Sequence, residues 1–187
     1  MGGDRGSQRA QGWLVSVGMI LLAAGWLGLP SFARATTLKD VQVGLRTVAF
    51  TAGPSRKHVQ VAIIHNPQNP DSRADARQIA AWLGSEASFP GVTFEISMVG
   101  LDDLIGERAY PVAIVAAHTG ASFDRILFYA QHNKTLTISA DLACVRAKAC
   151  VVGVATTPRV EVLVSREASI LCGIEFQEAF RMMVTEY

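Results

Sequence analysis

The chain has 187 residues, 17 Lys+Arg against 16 Asp+Glu, and three cysteines. A near-neutral balance leaves no basic excess to hold a nucleic-acid backbone. The length bounds it to one ordinary domain with room for a core.

The first element is an export signal. A polar start with Arg5 and Arg9 precedes WLVSVGMILLAAGWLGL (13–29), which carries no charge; Pro30 breaks it, and Ala33-Arg34-Ala35 follows. A basic start, an apolar stretch and a small-x-small site are the parts of a secretory signal peptide. The sequence therefore predicts cleavage after Ala35, so that 1–35 is the signal peptide and 36–187 a single exported domain. The apolar stretch is nearly long enough to span a bilayer, and an uncleaved anchor is the rival reading. Either way the remainder is expected outside the cytoplasm. The part from Thr36 has 14 basic and 15 acidic side chains.

Leu38, Val41, Leu45 and Val48 form the apolar stripe of a short helix, ended by Ala52-Gly53-Pro54-Ser55. VQVAII (59–64) is a β-branched run bounded by breakers and reads as a buried strand. HNPQNPD (65–71) is a loop. Ser72 then caps a helix, with Asp75 three residues on at capping-box spacing, and Ala76, Ile79, Ala80 and Leu83 face inward. VTFEISMV (92–99) alternates, with Val92, Phe94, Ile96 and Met98 on one side, as in a half-exposed strand. Leu101–Ile105 suggests a helical turn.

PVAIVAA (111–117) is apolar throughout, as a strand covered on both faces is. Ser122 opens a helix bearing Ile126, Leu127 and Ala130, and TLTIS (135–139) is a fourth strand. CVVGVA (150–155), Thr156-Thr157-Pro158 and VEVLV (160–164) read as a hairpin. In the tail, Phe176, Phe180, Met182 and Met183 are expected to pack in the core, with a sticky partner surface as the other reading. Strands alternating with helices imply a parallel sheet with right-handed crossovers, and the hairpin adds an antiparallel edge. The predicted fold is an α/β single-domain sandwich with a mixed, mostly parallel sheet and a C-terminal β-hairpin.

Enzyme signatures are sparse. No GxGxxG follows the first strand, and GxxxxGK[ST], GxSxG and HExxH do not occur. No cofactor, metal or catalytic residue is therefore expected. His65 and His118 end the first and third strands, with Asn66 and Asp141 on the same rim, where open α/β sheets bind ligands. They read either as a polar ligand pocket or as loop residues bonded to local backbone.

Cys144 and Cys150 lie six positions apart in DLACVRAKACVVGV. A structural zinc site needs four sulfur or nitrogen ligands at short paired spacings, and CxxC redox chemistry needs a closer pair. In an oxidising compartment two such cysteines form a disulfide, here across an exposed loop; a free pair is the alternative. Cys172 sits in an apolar run as a buried thiol, or exchanges into the pair.

"TLTISADLACVRAKACVVGV", "PRVEVLVSREAS" and "GIEFQEAF" together resemble the YfiR family of small periplasmic regulators, with Leu136–Asp141, Val151–Val154 and Val160–Ser165 at the matching strands. Cys144 and Cys150 match a cysteine pair of that family, and LKDVQVGLRTVAF its opening helix. The resemblance implies a periplasmic protein that binds the periplasmic region of an inner-membrane partner, a diguanylate cyclase in the best-known type, and restrains it in a redox-sensitive way. The second cysteine pair of that type is missing here, and AFTAGP replaces its aromatic-proline stretch. HNPQNPDSRADARQIAAWL also resembles the first strand-loop-helix of ABC-transporter substrate-binding proteins. That implies a single solute-binding lobe, open at its rim or closed by forming a homodimer.

Overall fold

The computed structural model describes residues 34–51, 57–85, 87 and 89–187. The expected signal stretch and the break at 52–55 lie outside them. The described residues form one compact unit.

Among the described residues seven strands make one sheet in the order β2-β1-β3-β4-β5-β6-β7. They are β1 (His58–His65), β2 (Thr93–Gly100), β3 (Val112–Val115), β4 (Leu136–Ser139), β5 (Val152–Ala155), β6 (Glu161–Val164) and β7 (Thr185–Glu186). β1 to β5 run parallel, β5 and β6 pair antiparallel as the expected hairpin, and β7 lies parallel to β6. The predicted fold class is the observed one.

Alternate residues of the central strands feed two cores, because successive side chains point to opposite faces. Val61 and Ile63 of β1, Ile114 of β3 and Ile138 of β4 pack with Val41 of α1 (Leu38–Arg46) and Ala76 and Ile79 of α2 (Pro70–Leu83). Ala62, Ile64 and Val115 pack with Ile126 and Tyr129 of α3 (Phe123–Asn133) and Val145 of α4 (Leu142–Arg146). α1 approaches so closely at Gly44 that a Cβ there would stand 2.6 Å from Ile138 Cγ2. On the other face Gly153 admits α4, since its Cβ would stand 2.7 Å from Val145 Cγ2.

Several local expectations are corrected. The cap of α2 is Asn69, whose Oδ1 accepts from the backbone of Asp71 and Ser72, and Pro70 follows at the first helical position. A proline there loses no helical hydrogen bond. Ser72 Oγ instead accepts from Asn66 N at 3.1 Å, and Asp75 is left for a different role. At the end of β2 the buried side shifts, with Val99 buried and Met98 43% exposed. Leu101–Ile105 is a run of turns.

Between β6 and the tail an unpredicted helix, α5 (Arg166–Cys172), is capped by Ser165. In the tail α6 (Glu178–Arg181) seats Phe180 against Phe50 and Phe176, with ring centroids 4.8 and 5.1 Å apart. Met182 and Met183 do not join that core: they are 84% and 68% exposed. Phe180 already fills the space beside Phe50, and after the two methionines Val184 packs against the core again.

Candidate functional site

The parallel strands end at one edge of the sheet. In this strand order the chain direction across the sheet reverses between β1 and β3, and open α/β sheets bind ligands in the crevice such a reversal creates. His65 ends β1 there and Asn66 follows it, His118 follows β3 and Asp141 follows β4. Each is partly exposed. Asn66 Oδ1 accepts from Gln68 N and Asp141 Oδ1 from Ala143 N, both at 2.9 Å. Asp141 thus caps α4. His118 adopts a left-handed backbone with φ 63°. His65 Nδ1 is buried without a hydrogen-bond partner among the described residues.

The same edge holds four residues, Asp75, Thr36, Asp40 and Thr156, that the sequence did not assign to it. Asp75 projects from α2 and accepts from Thr36 N, Thr36 Oγ1 and, just past β3, Ala117 N, each at 2.8 Å. Asp40 of α1 accepts from Thr37 N at 2.9 Å and Thr37 Oγ1 at 2.7 Å. It also reaches past β5, accepting from Thr156 N at 2.9 Å and Thr156 Oγ1 at 2.7 Å. The segment entering α1 is thereby tied to two strand ends. Asp40, Thr36, Asp75 and Thr156 are all under 9% exposed.

The electrostatics of Asp40 are those of a clamp. Burial opposes its charge, but hydrogen bonds from Thr37, Thr156 and Arg34 outweigh that and hold the carboxyl below its usual range. Arg34 pairs with it at 2.9 Å. Asp75 has no cationic partner among the described residues, and only neutral donors reach it. Local sequence carried one signal for this arrangement: Thr37-x-x-Asp40 has capping-box spacing, and the box forms.

A second candidate region is the corner between β4 and β5. Cys144 and Cys150 are bonded, with Cα atoms 5.3 Å apart. The expected exposed loop is corrected, because α4 occupies its first half and both cysteines, Val145 and Ala149 are buried. They face the core of α3, which accounts for their burial. Arg146 and Lys148 remain outside. Cys172 is a free, buried thiol whose pKa burial pushes up to about 11. Among the described residues no group of His, Cys, Asp and Glu gathers as a metal site.

No protein-family model matches the chain, and no curated protein matches it. Solved structures share its fold. One is the ABC domain in complex with L-Trp from Streptococcus pneumonia, at 11% identity and TM-score 0.56, covering 79% of this chain and 60% of that one. Another is a conserved domain protein from Vibrio cholerae O1 biovar El Tor, at 13% identity and TM-score 0.55, covering 80% and 59%. The chain thus spans about 60% of the length of these two structures.

Proposed function

We propose that this protein is an exported regulator of the YfiR type, which binds the extracytoplasmic region of an inner-membrane signalling protein and restrains it. In the best-known type of the family it resembles, that partner is a diguanylate cyclase. The observation that carries the reading is that the chain's own side chains bond across the ends of β3 and β5 at the carboxyl edge. Thr36 and Asp75 close over the end of β3, and Asp40 with Thr156 over the end of β5. A solute-binding lobe needs that edge open, whereas a protein that acts through its surface does not. The buried Cys144–Cys150 bond suits an oxidising compartment. The reading assigns the protein no catalysis.

The fold likeness favours a second reading, a single-lobe solute binder, since one of the similar structures is described in complex with L-Trp. One experiment separates the two. Tagged protein is used to capture partners from detergent-solubilised membranes, and in parallel it is titrated calorimetrically with a panel of amino acids. Capture of a membrane signalling protein with flat titrations is the expected result. Heat of binding with no membrane partner would replace the regulator by the solute binder. Replacing His65 and His118 together by Asn is expected to leave capture intact.

A further inference from the structure

The expected cleavage bond and the buried Asp75 carboxylate meet at one atom. The bond joins Ala35 to Thr36. Ala35 is exposed and Thr36 is 7% exposed. The backbone nitrogen of Thr36 lies 2.8 Å from Asp75 Oδ1, and the Thr36 hydroxyl 2.8 Å from Oδ2. Asp75 is itself only 8% exposed. In the uncut chain this nitrogen is a neutral amide, so among the described residues a buried carboxylate is held by neutral donors alone. A buried charge without a counter-charge is an unfavourable arrangement in a protein interior.

We propose that Asp75 is the socket for the mature N-terminus: cleavage after Ala35 makes the Thr36 nitrogen an α-ammonium, which forms a buried ion pair with Asp75. An export-linked endopeptidase that cuts after small-x-small sites hydrolyses the Ala35–Thr36 amide. Water supplies the hydroxyl that joins the Ala35 carbonyl carbon and the hydrogen that joins the Thr36 nitrogen. That nitrogen then takes a further proton from solvent, as α-amines largely do at neutral pH. The cut takes place on the emerging chain, before Thr36 docks.

The amide hydrogen already points at Oδ1, so the ammonium donates along the same line. The cut also removes Arg34, the cation paired with Asp40. Asp40 keeps its four donors from Thr37 and Thr156. One cation therefore leaves the edge as another arrives, and the one that arrives serves the carboxylate that had none. Ala117 N donates to Asp75 Oδ2, so the pair also fixes the chain just past β3. Processing thus completes the closure of the edge. This rests on the export in the proposed function and not on the identity of the partner.

The test uses two chains that carry every described strand and both cores, one beginning at Thr36 and one at Ala35. The chain beginning at Thr36 is expected to melt about 2–4 °C higher, and D75N to abolish the difference. Acetylation by an N-hydroxysuccinimide ester, read on the N-terminal peptide by mass spectrometry, needs no variant. The Thr36 amine is expected to react about tenfold or more slowly than the Ala35 amine, because it reacts only when the edge opens. Equal melting or equal acetylation would overturn the ion pair. An exported protein whose intact mass does not begin at Thr36 would overturn the maturation step. Membrane capture is scored separately, so loss of the partner reading leaves this result standing.

Discussion

Two regions tie loops to the carboxyl side of the sheet, and they do so by opposite means. At the edge beside β3 and β5, Asp75 and Asp40 gather backbone and hydroxyl donors from distant segments. At the corner between β4 and β5 a covalent bond closes a span of only six residues, surrounded by apolar side chains. The carboxylate clamp works only in the folded chain, since its partners are up to 116 positions apart. The disulfide works largely on the unfolded chain, by limiting its freedom. A buried carboxylate that loses its donors, or donors that lose their carboxylate, incur a desolvation cost that the unfolded chain does not. A broken disulfide leaves two small apolar thiols in a corner that stays packed. The clamp should therefore be the more fragile of the two.

The largest effect follows from cutting the clamp. Asp40→Ala strands the Thr37 and Thr156 donors and removes the capping partner of α1. It is expected to cost about 3 kcal/mol in urea unfolding. The pH dependence carries the same signature. Asp40 has its carboxyl lowered from 3.8 in the fold. Its contribution is therefore fully present above that value and lost as pH falls through the lower folded value. Stability of the wild type should fall across this acid window more steeply than that of Asp40→Asn. Parallel curves for the two would remove the clamp from the account.

The next effect is smaller. Replacing Cys144 and Cys150 together by Ser should cost about 2 kcal/mol by the chain-entropy estimate for so short a loop, with the domain still folded. Near-ultraviolet circular dichroism should keep its shape, because Val145 and Ala149 remain buried against α3. Collapse of the whole spectrum would show that the bond holds the corner together rather than securing a packed one. Cys172 gives a kinetic companion. With its thiol pushed up to about 11 by burial, it should resist iodoacetamide at pH 8 in native protein and react once the protein is unfolded.

Much of this fold was legible in the sequence, and the parts that were not share a cause. The buried strands read correctly because unbroken apolar runs of that length have few other uses, and the hairpin because Thr156 to Pro158 separate two such runs. The cap of α2 was misread because Ser72 and Asp75 have the spacing of a capping box, while Asn69 ahead of Pro70 has the stronger geometry. Asp75 on the inner side of α2, beside Ala76 and one turn before Ile79, was a buried carboxylate in plain view, but its partners lie 39 and 42 positions away. Local spacing does not encode such contacts. α4 was hidden because its five residues, Leu142–Arg146, are too few to show a helical period. The edge residues His65, Asn66, His118 and Asp141 followed from topology, whereas the closure of that edge by Thr36 did not.

The smallest expected effect tests the tail. Apolar composition led Met182 and Met183 to be expected in the core with Phe176 and Phe180. The structure separates the pairs, with Phe180 5% exposed and the two methionines at 84% and 68%. If the methionines were core residues, truncating either would cost about 2–5 kcal/mol. As exposed residues beyond α6 they make no core contact, and surface substitutions of that kind stay within about 0.5 kcal/mol. The double variant Met182→Ser with Met183→Ser should therefore unfold at the wild-type urea concentration, while Phe180→Ala, which removes the ring stacked on Phe50, should unfold well below it. Comparable losses in both would mean that the tail packs inward and that the sequence expectation was right. An unchanged double variant leaves the methionines as surface, and membrane capture repeated with it then measures whether that surface takes part in binding.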